Sequence, residues 1–329
     1  MSDQHFFVTG ATGCIGSWVV RNLILEGTPV TALDFQDSRH RLTTILDEDQ
    51  LCQVNFVHGD VTDLKSVEKI MADCGATHVI HLAALQLPFC RANPSLGALV
   101  NVIGTVNIFE ACKRLKIHQL AYASSTAVYG PLEAYPEGPI PHDAPLLPRS
   151  HYGVYKVANE GNAKVYWLDD GITSIGLRPH TVYGPGRDQG MTSTPTKAMV
   201  AAVMGNPYKI SFGGRYGFQF VDDVAKIFIS ASRTTWKGAE GFSLGGSPTS
   251  TTDIIDAIET LLPEHCGKIT YEDKPLPFPA EFDNHALVSI LGDLPQTPLL
   301  EGVKVTIDTY KKAIENDLIK ANDLEQLLV

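Results

Sequence analysis

The sequence predicts an α/β protein whose main domain is a doubly wound parallel sheet, joined to a smaller second domain made of separate segments. Three observations predict this fold. Short apolar runs alternate with helical apolar spacing through residues 1–178. A turn with regularly spaced glycines follows the first apolar run. Beyond residue 178 proline and glycine become frequent, which is typical of loops and short elements.

The first predicted unit is a strand, a glycine turn and a helix. Residues 6–8 form an apolar run that suits a buried parallel strand, and helical apolar spacing begins at Ile15. Glycine lets the chain turn tightly and lets a pyrophosphate approach the backbone, while the amide groups at a helix start face the phosphate charge. The unit therefore predicts a dinucleotide site made by Gly10, Thr12, Gly13, Cys14, Ile15 and Gly16.

Each later strand is also predicted from a short apolar run, and the segments between the strands carry helical spacing. Strands are expected at residues 29–33, 53–57, 77–82, 119–123, 172–177 and 241–244. Further helices are expected at residues 64–71, 93–115, 152–169, 221–232, 250–262 and 305–318. This alternation implies right-handed crossovers and places a ligand crevice outside the carboxyl ends of the strands.

The change in composition after residue 178 divides the chain into two predicted domains. Residues 1–178, with returning segments at about 216–245, form the dinucleotide-binding domain. Residues 179–215 and 246–329 mainly form the second domain. Because these segments lie near the carboxyl ends of the strands, we expect the second domain to bind the substrate.

Acidic or small side chains follow several of the predicted strands. Asp34 ends the second strand. Asp60 follows the third, where its carboxylate either accepts a hydrogen bond from an adenine amino group or caps the helix at 64–71, and both roles stay open. Ala83 and Ala84 follow the fourth strand, and their small side chains leave room for a cofactor.

The composition bounds the partners and the compartment. The chain of 329 residues has a net charge of −11 and no basic run, so nucleic acid is not an expected partner; an ordinary acidic surface has the same charge. No apolar run approaches membrane-spanning length, and residues 1–5 lack the start of a signal peptide. The six cysteines form no CxxC pair, which indicates reduced thiols in the cytoplasm and no metal site.

Three side chains form a candidate catalytic group. Tyr152 and Lys156 are four residues apart, so they share one face of a helix. A phenol titrates at about 10, and a nearby ammonium lowers that pKa, which would let the pair exchange a proton with a substrate hydroxyl. Ser125, at the end of the fifth strand, could hold the same oxygen. Each piece alone is also common on solvated helix faces or in loops.

Further motifs follow in order along nearly the whole chain. They are TGATGCIG (9–16), Asp34, Gly59-Asp60-Val61, His81-Leu82-Ala83-Ala84, Asn101, SSTAVYG (124–130), Tyr152, Lys156, Glu160, Arg178-Pro179 and Val182-Tyr183-Gly184-Pro185-Gly186. In this order the motifs resemble the extended short-chain dehydrogenase/reductase family, in its NAD-dependent epimerase/dehydratase branch. The resemblance implies a Rossmann fold with NAD as the cofactor.

The resemblance also implies a role for each residue. Tyr152 is the acid/base, Lys156 binds the phenol and the nicotinamide ribose, Ser125 holds the substrate hydroxyl, and Asp34 binds the adenosine ribose. The other cofactor residues that it implies are Asp60, Val61, Leu82, Ala83, Ala84, Asn101 and Pro179. Members of the family often dimerise through helices that correspond here to 93–115 and 152–169, so a homodimer is expected. Apolar faces on those helices would also arise from packing on their own sheet.

The choice between NAD and NADP depends on the charge beside the adenosine ribose. Asp34 favours NAD, because a 2′-phosphate next to this carboxylate would be repelled. Arg39 and Arg41 are close enough in sequence to bind such a phosphate. The favoured interpretation of these two arginines is a solvated basic turn.

The departures from the family pattern concern the substrate. Thr126 and Ala127 stand where dehydratases carry Asp-Glu, which disfavours water elimination. Thr181 replaces an asparagine that is usual in nucleotide-sugar enzymes. Residues 216–218 replace an Arg-Asp-Phe segment, and an Arg-Pro-Gly-Asp motif that contacts a diphosphate is missing near 270–285. A nucleotide sugar, a free sugar and a sugar acid therefore all stay open.

Several polar side chains remain as candidates for binding a sugar-like substrate. The expected contacts are Ser125, Thr126, Thr181, Arg187 and Arg215, with the two arginines as anion contacts. The histidines near the presumed cleft are His142, His151 and His180, for which polar packing is favoured over substrate contact.

Oxidation of a secondary alcohol by bound NAD can lead to two net reactions. An epimerase returns the hydride to the other face of the ketone, and family membership favours this outcome. A dehydrogenase releases NADH with the oxidised product, and the missing diphosphate anchors favour that one. A non-catalytic nucleotide sensor on the same fold is the third hypothesis, although it would not need Tyr152, Lys156 and Ser125 together.

Overall fold

The computed structural model describes residues 4–319, and every predicted strand lies within two residues of an observed one. The strands of these residues are β1 (Phe6–Thr9), β2 (Val30–Asp34), β3 (Asn55–His58), β4 (His78–His81), β5 (Leu120–Ala123), β6 (Ser174–Arg178), β7 (Thr181–Tyr183), β8 (Tyr208–Ile210), β9 (Arg215–Phe220), β10 (Ala239–Ser243), β11 (Ser247–Ser250) and β12 (Ile269–Tyr271).

Seven of these strands form the main sheet, in the order β10-β6-β5-β4-β1-β2-β3, and each neighbouring pair is parallel. The predicted doubly wound α/β fold is confirmed. The chain winds from β1 towards β3 on one side and from β4 towards β10 on the other. The strand order therefore reverses between β1 and β4, which is where such a sheet opens its ligand crevice.

Helices cover both faces of the sheet. They are α1 (Cys14–Leu25), α2 (His40–Ile45), α3 (Glu48–Leu51), α4 (Leu64–Asp73), α5 (Leu87–Ala92), α6 (Pro94–Ala98), α7 (Gly104–Leu115), α8 (His151–Asp170), α9 (Thr194–Val203), α10 (Val221–Arg233), α11 (Thr251–Leu261), α12 (His285–Leu291) and α13 (Leu299–Glu315). The last helix begins six residues before its predicted start, directly after Pro298, and ends before Asp317, whose φ of 53° is left-handed.

The region after residue 178 contains more sheet than the sequence indicates. Strands β7, β9 and β11 form a three-stranded sheet, and β8 pairs with β12. Sequence reasoning assigned these segments to loops and short elements. Four of the five strands have only three or four residues, too short to show a period, and their partners are distant in the chain. β9 belongs to this small sheet, whereas α10 and β10 return to the main sheet.

One helix differs from its prediction. The predicted helix at 93–115 consists of α6, a π-helical turn at Leu99–Ile103, and α7, which join end to end. Over Pro94–Leu115 this helix is long and apolar enough to cross a membrane, and half of its apolar segment is buried inside the fold. The sequence showed no apolar run of that length, because the buried Asn101 and Asn107 interrupt it. A buried core helix can be equally long and apolar.

The hydrophobic core is shared between the main sheet and the C-terminal segments. One cluster of buried side chains extends from Phe6 in β1 and Phe228 in α10 to Ile254 in α11 and Val303 in α13. The C-terminal helices are therefore packed on the same core as the first strands. The two-domain boundary at residue 178 stays a prediction.

Candidate active site

A cavity of about 580 Å³ lies outside the carboxyl ends of the central strands, at the point where the strand order reverses. It brings together every predicted cofactor residue except Asn101. Among the predicted substrate residues, Ser125, Thr126 and Arg187 line it. Thr181 is fully buried and Arg215 is an exposed neighbour of Glu281, so the structure places both outside the cavity.

The glycine turn forms one wall of the cavity. Gly10 has a left-handed φ of +64°, and a Cβ there would lie 2.6 Å from the Ala83 nitrogen. A Cβ at Gly16 would lie 2.1 Å from the Gly10 oxygen. Gly13 is the N-cap of α1, and it has no side chain that could bind the amides of the first turn. That turn also holds no acidic residue. The free amides at this helix start therefore fit a pyrophosphate.

Asp34 stands beside the glycine turn at the end of β2. Its carboxylate accepts hydrogen bonds from the Thr12 nitrogen at 2.9 Å and the Gln36 nitrogen at 3.1 Å. These bonds orient the carboxylate at the cavity wall, where it can accept from ribose hydroxyls. The position fits the adenosine ribose of NAD.

Arg41 overturns the interpretation of a solvated basic turn. Its side chain is buried and donates to both Asp188 oxygens, at 2.7 and 2.9 Å, and to the Thr12 oxygen at 3.0 Å. Burial raises the pKa of Asp188, but hydrogen bonds from His40 and Arg41 outweigh it and hold the pKa below its usual value. Arg39 lies over the Phe56 ring, 3.8 Å from its centroid. Sequence reasoning missed the partner of Arg41 because Asp188 is 147 residues away.

The helix-capping alternative for Asp60 is wrong. The cap of α4 is Asp63, whose carboxylate accepts from the Ser66 nitrogen at 3.1 Å. Asp60 accepts from the Thr62 nitrogen at 2.8 Å and lines the cavity. Its carboxylate is therefore placed where an adenine amino group could donate to it.

Asn101 supports the cavity from behind. Its amide is buried, accepts from the Leu85 nitrogen at 2.7 Å and donates to the Leu85 oxygen at 2.9 Å. These two bonds fix the backbone of residues 84–88, which line the cavity. The structure thus gives Asn101 a positioning role in place of the predicted cofactor contact.

Helix α8 is fastened to the carboxyl ends of two strands of the main sheet. The Lys156 amine donates to the Ala123 oxygen at 2.6 Å, at the end of β5. One helical turn later, Glu160 accepts from Arg178 of β6 at 2.6 and 2.8 Å, and also from Ser124. A Cβ at Gly153 would lie 2.2 Å from the Ala127 oxygen, so the start of the helix touches the segment that carries Ser125.

The phenol of Tyr152 faces the cavity, but its surroundings differ from the expectation. Burial raises the pKa of Tyr152, while a hydrogen bond from Ser125 and the charge of Arg187 act to lower it. The Lys156 amine lies 5.5 Å from the Tyr152 ring centroid and is not among the groups that shift this pKa. Burial lowers the pKa of Lys156 itself to about 8. Spacing in the sequence could not show that the amine binds a backbone carbonyl.

The three candidate histidines have packing roles. The His180 ring lies among Tyr216, Phe278 and Phe282, and burial lowers its pKa to about 4. It lines the cavity as an uncharged wall. His142 pairs with Glu240, and His151 stacks on Tyr155, both outside the cavity.

In two loops that line the cavity, sequence reasoning predicted only Ala84 and Arg187 as site residues and missed the rest. Residues 84–88 follow β4, and residues 186–192 follow β7. The second loop contains glycines with left-handed φ at 186 and 190. The density of glycine after residue 183 was the one signal that could have indicated this loop.

Comparison with known proteins identifies relatives along most of the chain. A model of the NAD dependent epimerase/dehydratase family matches residues 6–245. The UDP-glucose 4-epimerase of Mycolicibacterium smegmatis is 30% identical over 322 residues, covering 92% of this chain and 97% of that one. UDP-glucuronate 4-epimerase 2 of Arabidopsis thaliana is also 30% identical, covering 92% of this chain and 75% of that one. The crystal structure of Thermus thermophilus UDP-glucose 4-epimerase in complex with NAD aligns with a TM-score of 0.77 and 28% identity, covering 94% of this chain and 100% of that one.

The fold and the cavity define a dinucleotide-binding oxidoreductase of the α/β class. The chain belongs to the NAD dependent epimerase/dehydratase family, one branch of the extended short-chain dehydrogenases/reductases. It is an NAD-dependent epimerase or dehydrogenase.

We predict that Asp34→Ala weakens the preference for NAD over NADP about tenfold, because the ribose loses an acceptor and a 2′-phosphate is no longer repelled. Titration of the protein with both cofactors measures the ratio of dissociation constants. The control is Asp37→Ala, whose side chain is 90% exposed and contacts His58. An unchanged ratio in Asp34→Ala would place the discrimination elsewhere.

We predict that Lys156→Met changes how stability depends on pH. The pKa of Lys156 is about 8 in the folded protein against 10.5 for the free side chain, so the unfolded chain binds more protons between these values. The free energy of unfolding of the wild type therefore rises with pH across this window, by about 3 kcal/mol from this residue. In Lys156→Met, the free energy of unfolding measured by urea denaturation should lack this rise with pH. Lys164→Met, on the exposed side of α8, should behave as the wild type, and a wild-type rise in Lys156→Met would contradict the assignment.

Proposed function

We propose that the protein is a sugar epimerase that oxidises a secondary alcohol with bound NAD through Ser125, Tyr152 and Lys156. The observation that carries this proposal is that the three side chains line the same cavity as the glycine turn. The similarity to enzymes named UDP-glucose and UDP-glucuronate 4-epimerases supports epimerisation as the net reaction.

Each of the three side chains has a distinct task in this proposal. Ser125 accepts from the Ala127 nitrogen at 3.1 Å, which fixes the position of its hydroxyl for binding the substrate oxygen. Tyr152 takes the proton of the substrate hydroxyl during oxidation and returns it during reduction. Arg187 is the cation whose charge favours the phenolate once the proton leaves. Lys156 donates to the Ala123 oxygen at 2.6 Å and so holds the helix that carries Tyr152. NAD, when bound, takes the hydride and returns it.

The raised pKa of Tyr152 sets the resting state of the site. At neutral pH the phenol holds its proton, so the free protein is ready to donate it to a carbonyl oxygen. Oxidation starts from the deprotonated phenol, which the positive charge of Arg187 favours. Thr126, which occupies the position of a dehydratase carboxylate, binds the Pro179 oxygen and offers no acid for eliminating water.

A net dehydrogenase of a free sugar or sugar acid is the second candidate function. The observation that favours it is that His180 and Phe278, which both line the cavity, carry no charge for a diphosphate at neutral pH. The Tyr216 ring packs against both of these rings, and its hydroxyl donates to the Gly213 oxygen at 3.1 Å and accepts from the Leu276 nitrogen at 2.6 Å. The segment at 216–218 therefore packs on the protein itself, and it contains no cationic side chain that could bind a diphosphate.

We predict that Tyr152→Phe abolishes turnover while NAD binding stays within about twofold of the wild type, because the variant lacks only the hydroxyl that moves the proton. Wild type and variant are incubated with NAD and with UDP-glucose, UDP-glucuronate or D-glucuronate. Isomerised sugar without NADH indicates an epimerase, and accumulating NADH indicates a dehydrogenase.

Tyr155→Phe is the matched control for this experiment. Its hydroxyl lies on the same helix and donates to the Pro94 oxygen at 2.8 Å, outside the cavity. This variant should turn over like the wild type. Wild-type rates in Tyr152→Phe would contradict the acid/base role, and a wild type that binds NAD without converting any sugar would support the nucleotide sensor.

We propose that the protein is a cytoplasmic homodimer whose two subunits associate through α8 and the helix at Pro94–Leu115. An apolar stripe follows the outer face of α8, with Val154 49%, Val165 54% and Leu168 69% exposed. Leu99 and Ile103, each 45% exposed, extend this surface on the neighbouring helix. An apolar surface of this kind marks an interface more often than an isolated exposed side chain does.

We predict that Val165→Glu makes the protein monomeric, because the substitution would bury a charge in the interface. Sedimentation velocity measures the mass of the wild type and the variant. Leu25→Glu is the control, since Leu25 is 51% exposed on α1, away from the stripe. A monomeric wild type, or a dimeric Val165→Glu, would contradict the proposed interface.

A further inference from the structure

Arg187 is the residue of the cavity whose charge has no evident use. It lies in the loop at 186–192, and its Nη2 donates to the Thr192 hydroxyl at 3.0 Å. Its Nε is buried and has no hydrogen-bond partner within residues 4–319. A guanidinium has five N–H donors, so this side chain retains capacity for a ligand.

The other arginine of the cavity is already neutralised. Arg41 forms a buried ion pair with Asp188, the residue that follows Arg187. Among residues 4–319, no carboxylate pairs with Arg187 within 4.0 Å. The turn around Arg187 therefore holds one uncompensated positive charge at the cavity wall.

The position of Arg187 relates this charge to the reacting centre. Arg187 lines the same cavity as Tyr152 of α8 and Cys14 of the glycine turn. Its positive charge acts to lower the pKa of both side chains. The left-handed Gly190 brings Gln86 against the same turn, since a Cβ there would lie 2.4 Å from the Gln86 amide oxygen and 3.3 Å from Nη2 of Arg187. A ligand hydroxyl at Tyr152 and an anionic group at Arg187 could therefore belong to one small molecule.

One part of the cavity lining is aromatic. His180 and Phe278 line the cavity, and the His180 ring packs against Tyr216, Phe278 and Phe282. His180 is uncharged at neutral pH, because burial lowers its pKa to about 4. These four side chains offer no second cation for a diphosphate.

We propose that the substrate is a small sugar acid without a nucleotide, and that Arg187 binds its carboxylate. The proposal rests on the alcohol oxidation described above. The guanidinium forms paired hydrogen bonds with the carboxylate, and a neighbouring secondary hydroxyl faces Ser125 and Tyr152. In the reaction the carbinol carbon gives its hydride to NAD and the hydroxyl gives its proton to Tyr152, while the carboxylate is unchanged.

The test measures ligand binding separately from catalysis. NAD-loaded protein is titrated with D-glucuronate, D-galacturonate and D-gluconate, with D-glucose as the uncharged counterpart, and with UDP and UDP-glucose. Thermal shift and calorimetry report binding, since a ligand of the folded state raises Tm. At least one sugar acid should raise the Tm of the wild type, whereas D-glucose and UDP should not.

Two variants assign the binding to Arg187. Arg187→Gln should weaken the binding of the sugar acid about 10- to 100-fold and leave the NAD dissociation constant unchanged. The reason is that only the charge-assisted hydrogen bonds to the substrate are lost. Arg91→Gln, an exposed arginine on α5, should bind both ligands as the wild type does. Unchanged sugar-acid binding in Arg187→Gln would overturn the proposal.

Three other outcomes would also overturn it. If Arg187→Gln bound NAD more weakly and still preferred the sugar acid over D-glucose as the wild type does, the arginine would be a cofactor residue. Stabilisation by UDP or UDP-glucose that equals that of the sugar acids would indicate a nucleotide substrate. No stabilisation by any of the three sugar acids would exclude this substrate class. Failure of the proposed function is distinct, since the sugar acid would then bind in an Arg187-dependent way without being oxidised or isomerised.

Discussion

The geometry of the site depends on how α8 is held against the main sheet. Lys156 and Glu160 lie on one face of this helix, and both bind groups at the carboxyl ends of β5 and β6. The Glu160–Arg178 pair is buried, and loss of either partner would leave an uncompensated charge, which costs about 3–5 kcal/mol. Because α8 cannot shift without breaking these bonds, Tyr152 stays next to Ser125. Lys156 therefore contributes to the position of the phenol.

A second constraint joins the cofactor side of the cavity to the substrate side. Arg41 binds the oxygen of Thr12 in the glycine turn and the carboxylate of Asp188 in the loop at 186–192. The same loop carries Arg187, which lines the cavity together with Tyr152. One buried ion pair thus orders the cofactor wall and the proposed anion site together. It also engages the guanidinium that could otherwise have bound a 2′-phosphate, in agreement with NAD as the cofactor of the family.

Local patterns in the sequence predicted the parts of the site that depend on spacing alone. The glycine intervals at 10–16 and the four-residue separation of Tyr152 and Lys156 need no distant partner, and the structure places all of these residues in one cavity. The partners of Arg41 and Asn101 depend on tertiary contacts and could not be predicted. The same limit applies to the Tyr152 pKa, which burial raises although its neighbours in sequence suggested a lower value. Pairing in the small sheet was missed because its strands are short and distant in the chain.

The central claim is that Tyr152 and Ser125 meet the reacting hydroxyl of a sugar beside the nicotinamide ring. A crystal structure with NAD and the sugar that the protein converts measures this directly. We expect the Tyr152 and Ser125 hydroxyls within hydrogen-bond distance of one secondary hydroxyl, with the nicotinamide against the carbon that bears it. A sugar that contacts neither side chain, or a nicotinamide ring bound away from Tyr152, would contradict the claim.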